Sequence, residues 1–316
     1  MHYSKSQNRG DMTKSNAIYR VGLGGWEHEV FDEVFYPRKK MTGAQKLAYY
    51  ARFFRTVEIR ATFWDASLSG NDAGEWGEAV RGTPGFRFHV KLHASMTHAG
   101  SHRPEVSRNT RGLLQELSRQ EKLGSLLLQF PYSFTNTSAN RFHVVRLAET
   151  FAGFPAHVEF RHQSWHYTGL LSFLRENGLG VVSADIPRIR HYMPFITGVS
   201  GPSAYLRLHG RNEKGWLLNG YDAKYDYLYN GREIRELEKR LRTLSSTCQT
   251  VTVIANNSTG GKSIPLAFQL LSSLCDGKAV NIPATALKAF PQLRSLAVSD
   301  RSEESLLHEE PLPRAG

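Results

Sequence analysis

Apolar positions along this chain come in two rhythms. Eight stretches of five to seven residues alternate or concentrate apolar side chains in the manner of strands: Ala17–Leu23, Thr56–Arg60, Phe86–Leu92, Gly124–Phe130, Ala156–Arg161, Leu179–Asp185, Ser203–His209 and Thr250–Ala255. Between them, Gly43–Phe54, Pro104–Leu123, Ser138–Phe151, Thr168–Asn177, Arg232–Leu244 and Ile264–Leu274 carry helical spacing, with weaker segments at Asn71–Arg81 and Arg188–Thr197. Strands and helices alternating through short connections build βαβ units, and these stack into a parallel sheet. Eight strands in roughly 250 residues match the count that closes such a sheet on itself. The pattern therefore predicts an α/β fold, a single TIM-like (β/α)8 barrel with parallel strands, over residues 17–280. An open doubly wound sheet is the competing architecture. Its Gly-x-Gly-x-x-Gly turn is missing, because Gly22-Leu23-Gly24-Gly25-Trp26 has other spacing and no clear helix follows it. That stretch reads instead as a close backbone approach at the barrel mouth.

The two ends differ from the middle. Residues 1–16 form a polar N-terminal tail, expected to be mobile, without the apolar core of a secretory signal, which predicts a cytoplasmic protein. Residues 281–316 form a C-terminal extension, in which an apolar piece, Leu287–Val298, is expected to dock and the charged remainder to be partly disordered.

The polar faces of the strands carry the functional expectation. Val57-Glu58-Ile59-Arg60 recurs as Val158-Glu159-Phe160-Arg161, and a period of two sets each Glu and Arg opposite the apolar pair. The same division puts Lys91 opposite Val90 and Leu92, Arg207 and His209 opposite Leu206 and Leu208, and Asp185 with Ser183. Gln129 alone breaks the apolar run of its strand, and the last strand leads into Asn256-Asn257. Charged groups are costly in an ordinary core, and the catalytic groups of such barrels gather at the carboxyl ends of the strands. Glu58, Lys91, Gln129, Glu159, Arg161, Asp185, Arg207, His209 and Asn256 are thus expected to converge on one mouth. Structural roles compete with this: Glu58 with Arg60 and Glu159 with Arg161 as ion pairs, Gln129 as a backbone partner, His209 as a core histidine, Trp165 as packing or a mouth wall.

Composition narrows the classes. With 316 residues, 40% hydrophobic and 22% charged, the chain suits a folded globular protein, and no apolar run approaches the roughly 20 residues of a membrane span. Cys248 and Cys275 provide neither a disulfide framework nor metal-ligand spacing. A net charge of +11 favours anionic partners, a small anionic molecule first. The basic residues are spread along the chain rather than gathered in an arm, so nucleic acid is permitted as a partner but no motif asks for it. No cofactor is demanded by the sequence, and oligomeric state is left open.

These residues resemble the domain-of-unknown-function seventy-two family, the YecE-like proteins, over most of the chain, from about Gly22 to Leu274. Matching stretches are Gly22–Trp26, Val57–Trp64, Phe88–Lys91 with Thr97-His98, Leu123–Pro131, Val158–Trp165, Asp185-Ile186-Pro187, Tyr205–Arg211 and Asn256-Asn257. Val-Glu-Phe-Arg-His-x-Ser-Trp at 158–165 and Tyr-Leu-Arg-Leu-His-Gly-Arg at 205–211 are long and specific. The resemblance implies a TIM-like barrel with a polar cavity at the strand ends and supplies no settled reaction. The chain departs from the family pattern at Arg60, usually Asn, at Trp64, usually Tyr, and at Ala255, usually aromatic, and it has His89 and His93 where small residues are usual. These changes are expected to line the mouth.

The preferred reading is a hydrolase or lyase acting on a small anionic, phosphorylated or nucleotide-like substrate. Arg161 and Arg207 would clamp the anion, Glu159 or Asp185 would act as general base, and Lys91 as general acid or Schiff-base nucleophile. His209 joins that catalytic set, and Glu58, Gln129, His162, Trp165, Arg211 and Asn256 complete the substrate site. A divalent metal held by Glu58, Glu159, Asp185, His162 and His209 is an alternative, opposed by Lys91, Arg161 and Arg207 in the same mouth. Paired-carboxylate glycoside hydrolysis is weaker, since an Arg two residues from each Glu depresses the pKa that a general acid needs raised. A non-catalytic barrel binding nucleic acid or a nucleoprotein partner is the opposing class.

Overall fold

The computed structural model describes residues 17–101, 103–218 and 221–298. Eight strands run in parallel: β1 (Ile18–Leu23), β2 (Thr56–Ile59), β3 (Arg87–Lys91), β4 (Leu123–Gln129), β5 (Ala156–Glu159), β6 (Leu179–Asp185), β7 (Ser203–Leu208) and β8 (Thr250–Ala255). They pair in sequence order, and β8 returns to β1 over six residues, from Ile18 opposite Thr250 to Leu23 opposite Ala255, closing the barrel. The open doubly wound sheet is thereby replaced by the closed one.

Alternation along each strand divides packing from chemistry. Val57, Ile59, Phe88, Val90, Val158, Leu206 and Val253 face outward into one continuous apolar core shared with the surrounding helices. Each such side chain contributes about 1.5–3 kcal/mol on burial. The helices offer matching stripes. Gly231–Ser245 starts at an Asn230–Glu233 capping box and buries Ile234, Leu237, Leu241 and Leu244. Pro104–Arg119 starts with Pro at its first turn and buries Val106, Leu113, Leu114 and Leu117. The weak segment near residues 71–81 is a helix, Gly70–Ala79.

The barrel interior is filled rather than hollow. Leu127, Val182, Tyr205 and Ile254 form an inner apolar plug. His89 and His157 pack their rings against Tyr205, with centroids 4.8 and 5.4 Å away. The His157 ring occupies the space beside Gly180, where an added Cβ would lie 2.3 Å from a ring carbon, so glycine is required there.

Between β6 and β7 the expected helix at 188–197 is absent, and residues 186–202 form an irregular crossover. Pro187 and Pro194 interrupt any helical ladder. The crossover is tied to the end of β5 instead: Met193 N–H donates to the Arg161 carbonyl at 2.8 Å, and Tyr192 bridges to His162. This places Tyr192 over the strand ends. Near the C-terminus, Ile282, Ala286 and Leu293 are buried in the main core, and Thr285 Oγ1 donates to the Phe35 carbonyl at 2.6 Å. The tail over 1–16 and the end beyond Val298 lie outside the described residues. No helix among the described residues is long and apolar enough to cross a membrane.

Candidate functional site

A cavity of about 370 Å³ opens at the carboxyl ends of the strands. Five expected residues line it: Lys91 at the end of β3, Gln129 at the end of β4, Arg161 beyond β5, Arg207 on β7 and Asn256 beyond β8. The connections beyond the strands, loops and short helices, add Arg60, Phe63, Trp64, His98, Tyr132, Tyr192, Trp216, Lys224 and Tyr225. The close backbone approach expected at Gly22–Trp26 occurs at Gly24, where an added Cβ would meet Asn256 Oδ1 at 2.4 Å.

Beneath the cavity runs a buried chain of charges. Arg207 donates from Nε to Glu58 Oε2 at 2.8 Å, from Nη2 to Glu58 Oε1 at 2.7 Å, and from Nη1 to Glu159 Oε2 at 2.6 Å. Tyr205 O–H donates to the same Glu58 Oε2 at 2.8 Å. Arg161 Nε pairs with Glu159 Oε1 at 2.5 Å. Burial alone would raise the Glu159 pKa, but Arg161, Arg207 and His209 together hold it well below the usual carboxylate range. Glu159 is therefore an anionic counter-charge and cannot serve as a protonated general acid near neutral pH, while both oxygens of Glu58 are taken up by Arg207 and Tyr205.

His209 extends this chain. Burial, then Arg161, lower its pKa to about 3 against the pull of Glu159, so the ring is neutral. Its Nε2 lies 3.1 Å from Arg161 Nη2 and 3.3 Å from Glu159 Oε1. Nδ1 accepts from the Asn256 side-chain nitrogen at 2.9 Å, which leaves the ring proton on Nε2, toward Glu159. His209 and Asn256 fix the orientation of Arg161.

Lys91 is treated differently from the two arginines. It forms no ion pair among the described residues, and its Nζ sits 3.6 Å from the centre of the Phe63 ring. Burial first, then Arg207 and Arg60, push its pKa well below the ordinary lysine value, outweighing Glu58 and Glu159. His98 packs edge-on against Phe63 at 4.9 Å. Burial, Lys91 and Arg161 lower its pKa to about 4. The mouth thus presents an amine that releases its proton more readily than an ordinary lysine, and a neutral imidazole, beside fixed guanidiniums.

Several expected residues lie elsewhere. Asp185 does not face the mouth: on β6 the inward set is Val182 and Ala184, which turns Ser183 and Asp185 the other way. Asp185 instead accepts from Arg211 at 2.8 Å on both oxygens and from Tyr229 O–H at 2.7 Å, beside a separate cavity of about 870 Å³. Arg211 is consumed in that cluster. Trp165 is fully buried, stacked on Phe160 at 3.9 Å and donating Nε1–H to the Phe134 carbonyl, so it packs the wall behind β5 rather than the mouth. His162 caps the short turn at Gln163–Trp165 through Ser164 N–H, with its ring 5.0 Å from Tyr132 at the rim. Among the departures from the family pattern, Arg60 and Trp64 line the cavity. Ala255 faces the outer core, His89 fills the barrel interior, and His93 caps the helix Ala94–Thr97.

The aromatic rim and Lys224 sit on loops and on the short helices Glu213–Leu217 and Tyr221–Tyr225, where no strand period applies. Arg60 and Trp64 had a signal as departures from the family pattern, and His98 through the Thr97-His98 match. No group of three or more His, Cys, Asp or Glu arranged to hold a metal occurs among the described residues. Both glutamates of the mouth are already engaged by Arg207.

Comparisons with known proteins agree with this architecture. The family model described as protein of unknown function DUF72 matches residues 20–289. UPF0759 protein YunF of Bacillus subtilis is 29% identical over 274 residues, covering 80% of this chain and 94% of its own. The crystal structure of a DUF72 family protein from Thermotoga maritima aligns with a TM-score of 0.71 at 30% identity, over 81% of this chain and 99% of that one. One from Enterococcus faecalis aligns with a TM-score of 0.72 at 26% identity, over 82% and 96%. The chain, a closed (β/α)8 barrel with a cationic mouth, belongs to the DUF72 family of proteins of unknown function.

Proposed function

We propose that this protein is an enzyme of hydrolase or lyase type that acts on a small anionic, phosphorylated or nucleotide-like molecule held at the carboxyl end of the barrel. The observation that carries this reading is the charge of the cavity wall: Arg60, Lys91, Arg161, Arg207 and Lys224 line it, and no carboxylate does among the described residues. Low-dielectric walls focus such a field on a bound anion. Arg161, oriented by Glu159, His209 and Asn256, is the anion clamp. Arg207 adds charge from below, while its donors are spent on Glu58 and Glu159. Proton transfer falls to Lys91 and His98, and Asp185 is withdrawn as a base because Arg211 and Tyr229 hold it outside the mouth. The aromatic rim of Trp64, Tyr132, Tyr192, Trp216 and Tyr225 suits a planar or sugar-like body attached to the anion. The divalent-metal reading lacks comparable support, since its two mouth carboxylates are bound to arginine.

The test is a melting-temperature and calorimetric screen with inorganic phosphate, sugar phosphates, nucleotides and oxo acids. A binder is expected to lose roughly tenfold to a hundredfold in affinity on Lys91→Gln, as for one lost charge-assisted hydrogen bond. Anions that bind Lys91→Gln as tightly as the parent protein would place the site elsewhere. Salt-sensitive binding of RNA that survives mouth substitutions would favour the non-catalytic barrel instead.

A further inference from the structure

The cation that the buried charge chain leaves out points to a more specific chemistry. Arg161 and Arg207 each meet a carboxylate at 2.5–2.7 Å, whereas Lys91, at the end of β3 on the cavity floor, meets the face of Phe63. A structural lysine in a barrel interior would be expected to take one of the two glutamates. Here Arg207 holds both, and Lys91 lines the cavity together with the cationic Arg60 and Arg207. Positive neighbours disfavour the ammonium, and the free amine is the nucleophilic form. His98 shares the same aromatic wall as a neutral ring able to take and return a proton.

We propose that Lys91 is the covalent nucleophile of the site, forming an imine with carbonyl compounds that carry a carboxylate or a phosphate. The inference rests on the anionic-substrate reading and deepens it. The Nζ lone pair attacks the carbonyl carbon as the π pair moves to oxygen. His98 takes one proton from the new ammonium and passes it to that oxygen. A second proton from solvent lets the oxygen leave as water, while the remaining nitrogen lone pair forms the C=N bond of an iminium that keeps one N–H. The anionic group, held by Arg161, sets the carbonyl against Nζ. The iminium then takes up the electron pair of an adjacent C–H bond, whose proton passes to His98, or of the Cα–Cβ bond of a β-hydroxy compound, whose other fragment leaves as a carbonyl once its hydroxyl gives up a proton. Either way the C=N π pair moves to nitrogen and an enamine forms, the step a lyase needs.

The experiment uses the full chain with pyruvate, with glycolaldehyde phosphate and with acetone as the uncharged control, each with cyanoborohydride, followed by peptide mapping. The expected result is a secondary amine on Lys91, heavier by the carbonyl compound less one oxygen. It should form at least tenfold faster with an anionic compound than with acetone, and below the pH of about 10 at which ordinary lysines lose their proton. Pyruvate against glycolaldehyde phosphate decides between carboxylate and phosphate. Lys91→Arg, which keeps the charge, should give no adduct. Inorganic phosphate should slow labelling in the unsubstituted protein, a readout that needs no variant. Labelling spread evenly over exposed lysines would overturn the proposal. Binding of either anion at the mouth without an adduct would overturn the imine and leave the anion site standing, and no binding and no adduct would remove both.

Discussion

Arg207 has no role in packing that a smaller residue could fill. Three of its nitrogens serve two fully buried glutamates, so deleting it would strand both charges. Arg207→Met is expected to destabilise the fold by about 3–5 kcal/mol in urea denaturation. Arg207→Lys should recover little, because an ammonium cannot reproduce the fork. The buried histidines make a second prediction. Burial, then His157, Arg20 and Arg87, lower the His89 pKa to about 3, and burial lowers that of His157 to about 4, opposed by the Ser203 carbonyl. Both folded values lie below the unfolded value of about 6.5, so protons bind preferentially to the unfolded chain. Their contribution is complete above about pH 6.5 and is lost as pH falls toward 4 and then 3. Between pH 6.5 and 5, where carboxylates scarcely titrate, the unfolding free energy from urea titrations should fall by up to about 1.4 kcal/mol per pH unit for each histidine, and the midpoint with it. His157→Gln should flatten that slope, and an unchanged midpoint down to pH 5 would contradict it.

At the scale of elements, outer faces were easier to read than inner ones. On β3, β5 and β7 a single apolar set alternates with a single polar set, so the helix-facing core, the mouth residues Lys91 and Arg207, and Glu159 beneath them follow from a period of two. β6 is buried on both faces, as strands of a covered parallel sheet usually are, and its polar pair, Ser183 and Asp185, lies on the outer face, bonded to the Ile196 carbonyl and to Arg211. Asp185 was therefore assigned to the wrong side. Trp165 was ambiguous for a different reason: its position past a strand end fits a mouth wall, but only the packed fold shows it stacked on Phe160. Two substitutions separate these placements. Asp185→Asn should cost about 1–3 kcal/mol of stability through its Arg211 and Tyr229 bonds, with anion affinity at the mouth unchanged. Trp165→Ala should cost about 3–5 kcal/mol by emptying the stack, again without a loss of affinity per folded molecule. A selective loss of anion binding in Asp185→Asn, with stability intact, would return that residue to the site.

For the whole molecule, closure of the sheet is what turns scattered basic residues into a site. The chain carries a net charge of +11 spread over its length, with no dense arm, yet eight strand ends and their loops bring five cations to one cavity. Strand ends were visible in the alternation, whereas Trp64, Tyr132, Trp216, Lys224 and Tyr225 reach the mouth only because the connections fold over it. Family membership secures the barrel and leaves the reaction to be read from these side chains. The most direct measurement is an anomalous difference map from crystals soaked in selenate. An ordered selenium peak within hydrogen-bond reach of Lys91 and Arg161, absent from Lys91→Gln crystals, is the predicted result. Selenate ordered only at other surfaces, with the mouth empty of anion, would contradict the anion site.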